Sequence, residues 1–311
     1  MGALGTDINL CKLDSSKTPN WRKASRPFGE NCGFTIGEAT QYIVLMDDAL
    51  AIDLAADVHG AVSDVFINAD GIKRSISAPG AGNYVSFSKA VASAIAIVGE
   101  STVRKHSFIH AHGSSTPANR VTESRIFDRV AEAFSIKDWP ITAAKAFVGH
   151  SLAAASGDQL AFALGTFKYD ILPGIKTVNK IADDVAQKRL FFPLQDMDLV
   201  NRKMDVAFVN SKGFGGNNAT AVVLSPRKVE NMLSARYGSV MADYQSRREE
   251  TRQAAKNYAE KADKGNIPVV YRFGEALVQE HDIDISCDGI HMPGHKQDVI
   301  FDKLNPWADM D

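Results

Sequence analysis

Short apolar runs and longer stretches of helical period alternate along the first two thirds of this chain. The runs Gly33–Met46 and Ala61–Asn68 read as a strand pair, with an Ala-rich helix Ala49–Ala56 near their crossing. A helix Tyr84–Gly99 follows, then a short strand Ser107–Ala111 and an amphipathic helix starting near Val121 and running to Phe134. Pro140–Val148 reads as another strand, and Leu152–Phe167 as a helix apolar on all sides, which belongs in a core. The strands Asp205–Val209 and Ala219–Leu224 flank a Gly-rich loop as a final hairpin. Strands alternating with helices predict an α/β fold, a sheet covered by helices on both faces. After Pro226 the pattern changes: Arg227–Asp263 is charged and helix-prone, with the Arg-Glu run at 247–252 on a solvated face, and Lys264–Pro268 ends it. Residues 269–311 are mixed and irregular, and Met1–Ser25 reads as a polar connecting loop. The chain thus divides at 1–226 and 227–311.

Composition narrows the class. A chain of 311 residues with 45% apolar content can bury a sizeable core. With 35 Lys and Arg against 37 Asp and Glu, charge gives no general pull toward nucleic acid or an anionic membrane. The three cysteines, Cys11, Cys32 and Cys287, have no paired spacing and predict no disulfide framework. Asp7 and Lys12 near the start, without a long apolar stretch, predict neither a signal peptide nor a membrane span, and the cytoplasm is the expected compartment.

Candidate chemistry concentrates in three segments: His112-Gly-Ser-Ser-Thr116, Lys145-Ala-Phe-Val-Gly-His150-Ser, and Asn210-Ser-Lys-Gly-Phe214-Gly-Gly-Asn217. His112 leaves a strand end into a hydroxyl-rich turn. His150 follows Gly149 at a predicted helix N-terminus, where the helix dipole disfavours imidazolium and leaves a neutral ring able to donate a hydrogen bond. The loop Gly213–Phe214–Gly215–Gly216 is flexible enough to offer backbone N–H groups to an oxyanion. His110 shares the strand face of His112 and reads as a packing or supporting residue. His281, His291 and His295 are too loosely spaced for a metal set, and no metal site is expected. Ser151 and Ser211 lack the Gly-x-Ser-x-Gly elbow of a serine hydrolase.

Together these segments resemble the C-terminal half of a β-ketoacyl-[acyl carrier protein] synthase of the Cys-His-His type, which has a thiolase-like fold of layered helices and mixed sheet. Arg26-Pro-Phe-Gly-Glu-Asn-Cys-Gly-Phe-Thr-Ile-Gly-Glu38 and Ser77-Ala-Pro-Gly80 are similar to further family segments, so the likeness runs from about Arg26 to Pro226. The resemblance implies that this is the second half of a duplicated core. It makes His112 and His150 the catalytic histidines, with Lys145 and its carboxylate partner Glu123 orienting them. Phe214 would be the acyl-pocket gate whose amide joins the oxyanion hole with Gly213, Gly215 and Gly216, and Ser114 and Thr116 would contact the pantetheine arm. The tail is similar to that of a long, divergent bacterial branch.

The departures are specific. The family's nucleophilic cysteine precedes the Arg-Pro-Phe segment on a buried helix turn, and none of the three cysteines here has those flanks. Arg120 stands where an aspartate is usual, Lys212 replaces the first Phe of the loop, and Asn217 replaces its Thr. The implied activity is decarboxylative Claisen condensation of a malonyl-carrier protein with an acyl thioester in fatty acid or polyketide-like synthesis. It needs no cofactor beyond the substrates' own phosphopantetheine. Implied partners are an acyl carrier protein and an N-terminal half bearing the nucleophilic cysteine, the complete enzyme being a homodimer. Two other readings stand beside it: a non-catalytic, chain-length-factor type of subunit, and a thioester hydrolase or acyltransferase using Ser151 or Ser211.

Overall fold

The computed structural model of the chain describes residues 24–30, 33, 35–73, 80–268, 273–275, 277–295, 297–305 and 308. It forms two units, Met1–Arg252 and Gln253–Asp311. The first opens with helix α1 (Asp48–Asp53), strand β1 (Ala61–Ala69), α2 (Gly82–Val98), α3 (Glu100–Lys105) and β2 (Ser107–His110). Next come α4 (Pro117–Ala133), β3 (Trp139–Thr142), the single turn α5 (Lys145–Val148), and α6 (Ala155–Tyr169) with a 3-10 turn at Leu152–Ala154 before it. The short strands β4 (Ile171–Leu172), β5 (Leu190–Phe191) and β6 (Met197–Asp198) lead to the hairpin β7 (Val206–Gly213) and β8 (Asn217–Leu224).

One six-stranded sheet, in the order β1-β8-β7-β2-β3-β5, carries the fold. β1, β8 and β7 are antiparallel, whereas β7, β2, β3 and β5 run parallel, so the sheet is mixed as the fold class predicts. Its central strands are buried on both faces, which accounts for their continuous apolar runs. On one face Ile109, Phe208 and Val206 join α2 and α4 through Phe87 and Phe127. There Phe87 packs on Phe127, Trp139 and Phe208 with ring centroids 4.8, 5.7 and 5.9 Å away. On the other face Phe108, Ala207 and Val209 pack with Ala163 of α6.

Several elements differ from the sequence pattern. Among the described residues, 33–46 contains no strand; its one β-bridge is an isolated parallel one from Ile36 to His150, outside the sheets. The strand expected over Pro140–Val148 stops at Thr142, and Lys145 opens a helical turn that Gly149 ends at φ 69°. The helix expected near Val121 begins four residues earlier, because Thr116 accepts the Asn119 N–H as N-cap and Pro117 sits at the first helical position. Nor is Leu152–Phe167 apolar all round: α6 buries Ala155, Asp158, Gln159, Ala163 and Thr166, and Leu152 in the 3-10 turn before it is half exposed. Residues 77–79 of the Ser-Ala-Pro-Gly loop, Cys11, Cys32 and nearly all of Met1–Ser25 lie outside the described residues.

Beyond Pro226 the chain continues on the same core. Ser225 caps α7 (Pro226–Tyr237) by accepting the Lys228 N–H, and Leu233, Met241 and Tyr244 are buried with Phe87. From α8 (Met241–Asp263), Arg247 donates to the carbonyls of Ile52 and Asp53 at the C-terminal end of α1, and Tyr244 Oη donates to Ala56 O at 2.9 Å. The second unit holds the end of α8 and a small antiparallel sheet of β9 (Asp284–Ile285), β10 (Gly289–His291) and β11 (Val299–Ile300). Among the described residues, no helix is long and apolar enough to cross a membrane.

β1 forms one edge of the large sheet with Val65 and Ile67 exposed, and Tyr42, Val44 and Leu45 are exposed in the segment before α1. Apolar surface of this kind drives association. The isolated chain should therefore self-associate and bind a dye that reports apolar surface; light scattering showing a monodisperse monomer without dye binding would contradict this.

Candidate active site

β2 ends at His110, and the chain turns at His112 and Gly113. That turn is built around one carboxylate. Glu123 of α4, fully buried, accepts the His112 N–H at 2.7 Å and Asn210 Nδ2 at 2.9 Å on Oε1, and the Gly113 N–H and Asn119 Nδ2, both at 2.9 Å, on Oε2. Gly113 has φ 53°, and a Cβ there would lie 2.7 Å from Ala143 Cβ, so glycine alone suits this turn. Removing the carboxylate strands four donors in a dry environment. Glu123→Ala should lower stability by roughly 3 kcal/mol or more, measured by urea unfolding; an unchanged midpoint would refute the role.

His150 reaches the same place from a different element. Its backbone is clamped by the segment before α1: the His150 N–H donates to Thr35 O at 2.7 Å and the Gly37 N–H to His150 O at 3.0 Å. A Cβ on Gly37 would fall 2.2 Å from Val148 O. The rings of His112 and His150 then stand edge to face with centroids 5.1 Å apart.

Backbone N–H groups fix the tautomer of each ring. Nδ1 of His150 accepts the Leu152 N–H at 3.0 Å, and Nδ1 of His112 accepts the Lys212 N–H at 3.4 Å. A backbone amide can only donate, so each neutral ring carries its proton on Nε2 and presents an N–H donor. Both rings are held neutral. Burial, then the charges of Lys145, His150 and Lys212, push His112 well below the usual imidazole range; burial and Lys145 push His150 down to about 4. His110, wholly buried, is pushed down to about 3 by the same two causes, partly offset by the Ala111 backbone.

These depressed values set a stability window. In the unfolded chain the three histidines protonate near the ordinary imidazole value of about 6.5, while in the fold they stay neutral, so the unfolded state binds more protons below that pH. Thermal stability should be full above about pH 6.5 and fall as pH drops toward about 4. A melting temperature flat across that interval would contradict the assignment.

Lys145 departs from the expected pairing. Its Nζ is buried and has no hydrogen bond among the described residues, while the Glu123 oxygens are taken by the four donors above. Lys145 therefore acts on its neighbours through its field and not through a contact ion pair with Glu123. Burial lowers its pKa to about 8, partly offset by the charges of Glu123 and Asp158. Arg120, which stands where an aspartate is usual, is engaged elsewhere: its guanidinium forms a two-point pair with Asp184 at 2.8 and 3.0 Å and donates to Gly29 O.

The hairpin between β7 and β8 holds Gly213 to Gly216. Gly215 and Gly216 have φ 86° and 91°, and the Gly216 N–H closes the turn on Gly213 O at 3.3 Å. Phe214 is 70% exposed, and among the described residues the amides of Phe214 and Gly215 carry no hydrogen bond. The loop is anchored below by Asp70, whose N–H donates to Gly216 O at 2.8 Å and whose carboxylate accepts from Gly82 N, Lys73 Nζ and Asn218 Nδ2. Ser114 is buried with its hydroxyl 3.1 Å from that of Thr116, so the Thr116 hydroxyl serves both this contact and the cap of α4.

Two buried residues organise the site: Gln159, which the sequence reading passed over, and Asn210, which it named in a segment without a role. Gln159 of α6 donates to the carbonyls of His110, Ala111 and Asn210 and accepts from Ser211 Oγ, joining β2 to β7. Asn210 links Glu123 to Thr220 of β8. A polar residue within the predicted core helix, beside Asp158, was the available signal for Gln159. Neither serine of the hydrolase reading contacts an imidazole: Ser151 Oγ donates to Asp158 and Ser211 Oγ to Gln159. Among the described residues, no three His, Cys, Asp or Glu side chains gather as metal ligands.

A mixed sheet clad on both faces by helices is the thiolase-like fold of the ketosynthases with which this chain aligns. A type II PKS ketosynthase solved in complex with its acyl-carrier protein shares the fold at a TM-score of 0.58 and 22% identity, over 72% of this chain and 50% of that one. Residues 59–179 match the family profile "Beta-ketoacyl synthase, C-terminal domain". The β-ketoacyl-[acyl-carrier-protein] synthase FabY of Pseudomonas aeruginosa is 58% identical over 311 residues, 100% of this chain and 49% of that protein. Its crystal structure aligns with a TM-score of 0.92. The 3-oxoacyl-[acyl-carrier-protein] synthase 1 of Escherichia coli strain K12 is 27% identical over 224 residues, 72% of this chain and 49% of that protein. The chain spans about half the length of the curated relatives it matches. It belongs to the β-ketoacyl synthases, as a divergent protein of that family's C-terminal half.

Proposed function

We propose that this chain supplies the decarboxylating and oxyanion-binding half of a β-ketoacyl-[acyl carrier protein] synthase in fatty acid synthesis. The observation that carries the reading is the pair of neutral imidazoles, each fixed by a backbone amide on Nδ1 so that the ring's proton sits on Nε2. A malonyl thioester losing CO2 develops negative charge on its thioester oxygen, and two such donors stabilise that enolate. The enolate carbon then attacks an acyl group held on a cysteine thiol. The new C–C bond forms as the thiolate leaves, and the amides of Phe214 and Gly215 receive the intermediate oxyanion. Lys145 orders the electrostatics of the pair, Glu123 fixes the His112 turn, and Ser114 and Thr116 face the pantetheine arm. Acyl carrier protein delivers both substrates, the thiol comes from a segment N-terminal to these residues, and the assembled enzyme is a cytoplasmic homodimer.

The test is release of labelled CO2 from malonyl-carrier protein by the assembled enzyme. Release that depends on both histidines supports the reading; hydrolysis of an acyl thioester without decarboxylation would replace it with the hydrolase reading. Absence of either activity alongside stimulation of an intact synthase would favour a non-catalytic subunit.

A further inference from the structure

Three nitrogens at one corner of the site have no hydrogen-bond partner among the described residues: Nδ1 and Nε2 of His110 and Nζ of Lys145. His110 is 0% exposed and Lys145 3%. His110 closes β2 opposite Thr142 of β3, and Lys145 follows Thr142 by three residues. The His110 ring meets Phe162 of α6 edge on, with centroids 6.0 Å apart, and Phe162 stacks on Phe147 from the same turn as Lys145. That aromatic wall offers His110 no conventional hydrogen-bonding group.

Buried polar groups are nearly always paired, and a neutral imidazole always carries one donor and one acceptor nitrogen. The charged groups facing Lys145 are Glu123 from α4 and Asp158 from α6, and its own charge is felt by His110, His112 and His150. Lys212 from β7 adds its charge at His112. Glu123 already accepts four hydrogen bonds, and Asp158 accepts from Gln41 and Ser151. Nδ1 of His112 and Nδ1 of His150 are taken by backbone amides. Of the three imidazoles around Lys145, His110 alone keeps an acceptor nitrogen open.

We propose that His110 is a positioning residue for Lys145: it accepts a hydrogen bond from the Lys145 ammonium through one buried water and so holds that charge beside His112 and His150. The proposal rests on the reading of this site as a decarboxylating centre. An acceptor stabilises the charged form of lysine, so the Lys145 ammonium persists to higher pH with His110 than without it.

In the assembled enzyme, His110→Phe fills the volume without the acceptor, and His110→Gln restores an acceptor. The alkaline limb of the decarboxylation rate, set by Lys145 near pH 8, should move about one pH unit lower in His110→Phe, a loss of about tenfold above the limb. It should return toward wild type in His110→Gln, with KM for the malonyl thioester unchanged because His110 reaches no surface. In wild type with 15N-labelled histidine, the His110 ring signals should shift as Lys145 titrates and stay constant in Lys145→Met. Profiles of His110→Phe and wild type that superimpose would overturn the proposal, as would equal losses in both variants at every pH, or His110 signals indifferent to Lys145. If His110→Phe does not fold, the wild-type titration decides. If wild type releases no CO2, the decarboxylation reading fails, and the same titration still reports on the link between His110 and Lys145.

Discussion

His112→Ala and His150→Ala should each lower malonyl decarboxylation by the assembled enzyme about 10²- to 10³-fold, the usual loss when one preorganised donor to a developing oxyanion is removed. Each ring offers one Nε2–H, and neither can substitute for the other, because each is held by a separate amide, Leu152 for His150 and Lys212 for His112. Acyl loading of the partner thiol needs neither donor to an enolate and should fall far less. A double variant should lose less than the product of the two single losses, since both donors serve one oxygen. His112→Ala must be accompanied by a melting curve, because that turn is shared with Glu123; His150 is less buried and gives the cleaner result. Equal loss of loading and decarboxylation, or no loss of decarboxylation, would remove both histidines from this role.

The second large effect is all or none. Mixed with acyl and malonyl thioesters, the chain alone should give no β-ketoacyl product, and adding a polypeptide with the N-terminal half of the synthase should restore it. Condensation requires a thiolate, and thiolates are favoured by cations or a helix N-terminus. Cys287 is exposed, and its thiol donates to the Asp288 carboxylate at 3.4 Å, which Lys303 also pairs. Cys11 and Cys32 lack the family's flanking residues. Product formed by the chain alone, and surviving replacement of Cys11, Cys32 and Cys287, would show that the nucleophile lies elsewhere in these 311 residues.

Where the sequence reading succeeded, the cause was local. Apolar runs in β2, β7 and β8 follow from strands buried on both faces, and Gly149 and Gly215 punctuate turns with positive φ that few other residues adopt. Where it failed, a partner distant in the chain decided. The apolar run after Gly33 resembles a strand, yet among the described residues it forms one isolated bridge, to His150, 114 residues beyond Ile36 in the numbering. Pro140–Val148 has strand composition, but its last residues close a helical turn under Gly149. Thr116 and Pro117 spelled out a helix start that their place in a catalytic-looking motif concealed.

The sequence by itself determined the alternation of strands and helices and the likeness to a ketosynthase C-terminal half, and it singled out His112, His150, Lys145 and the Gly213–Gly216 loop as candidates. The alternation follows from periodicity; the candidates follow from the resemblance that the three segments carry. Only the tertiary structure decided what each side chain touches. It gave Glu123 to the His112 turn and not to Lys145, left Lys145 to act through its field, and set both histidine tautomers by amides 100 residues and two residues away in the chain. The reason is that a carboxylate or an imidazole has more potential partners than it can hold, and the choice among them depends on which donors the packed sheet brings within about 3 Å.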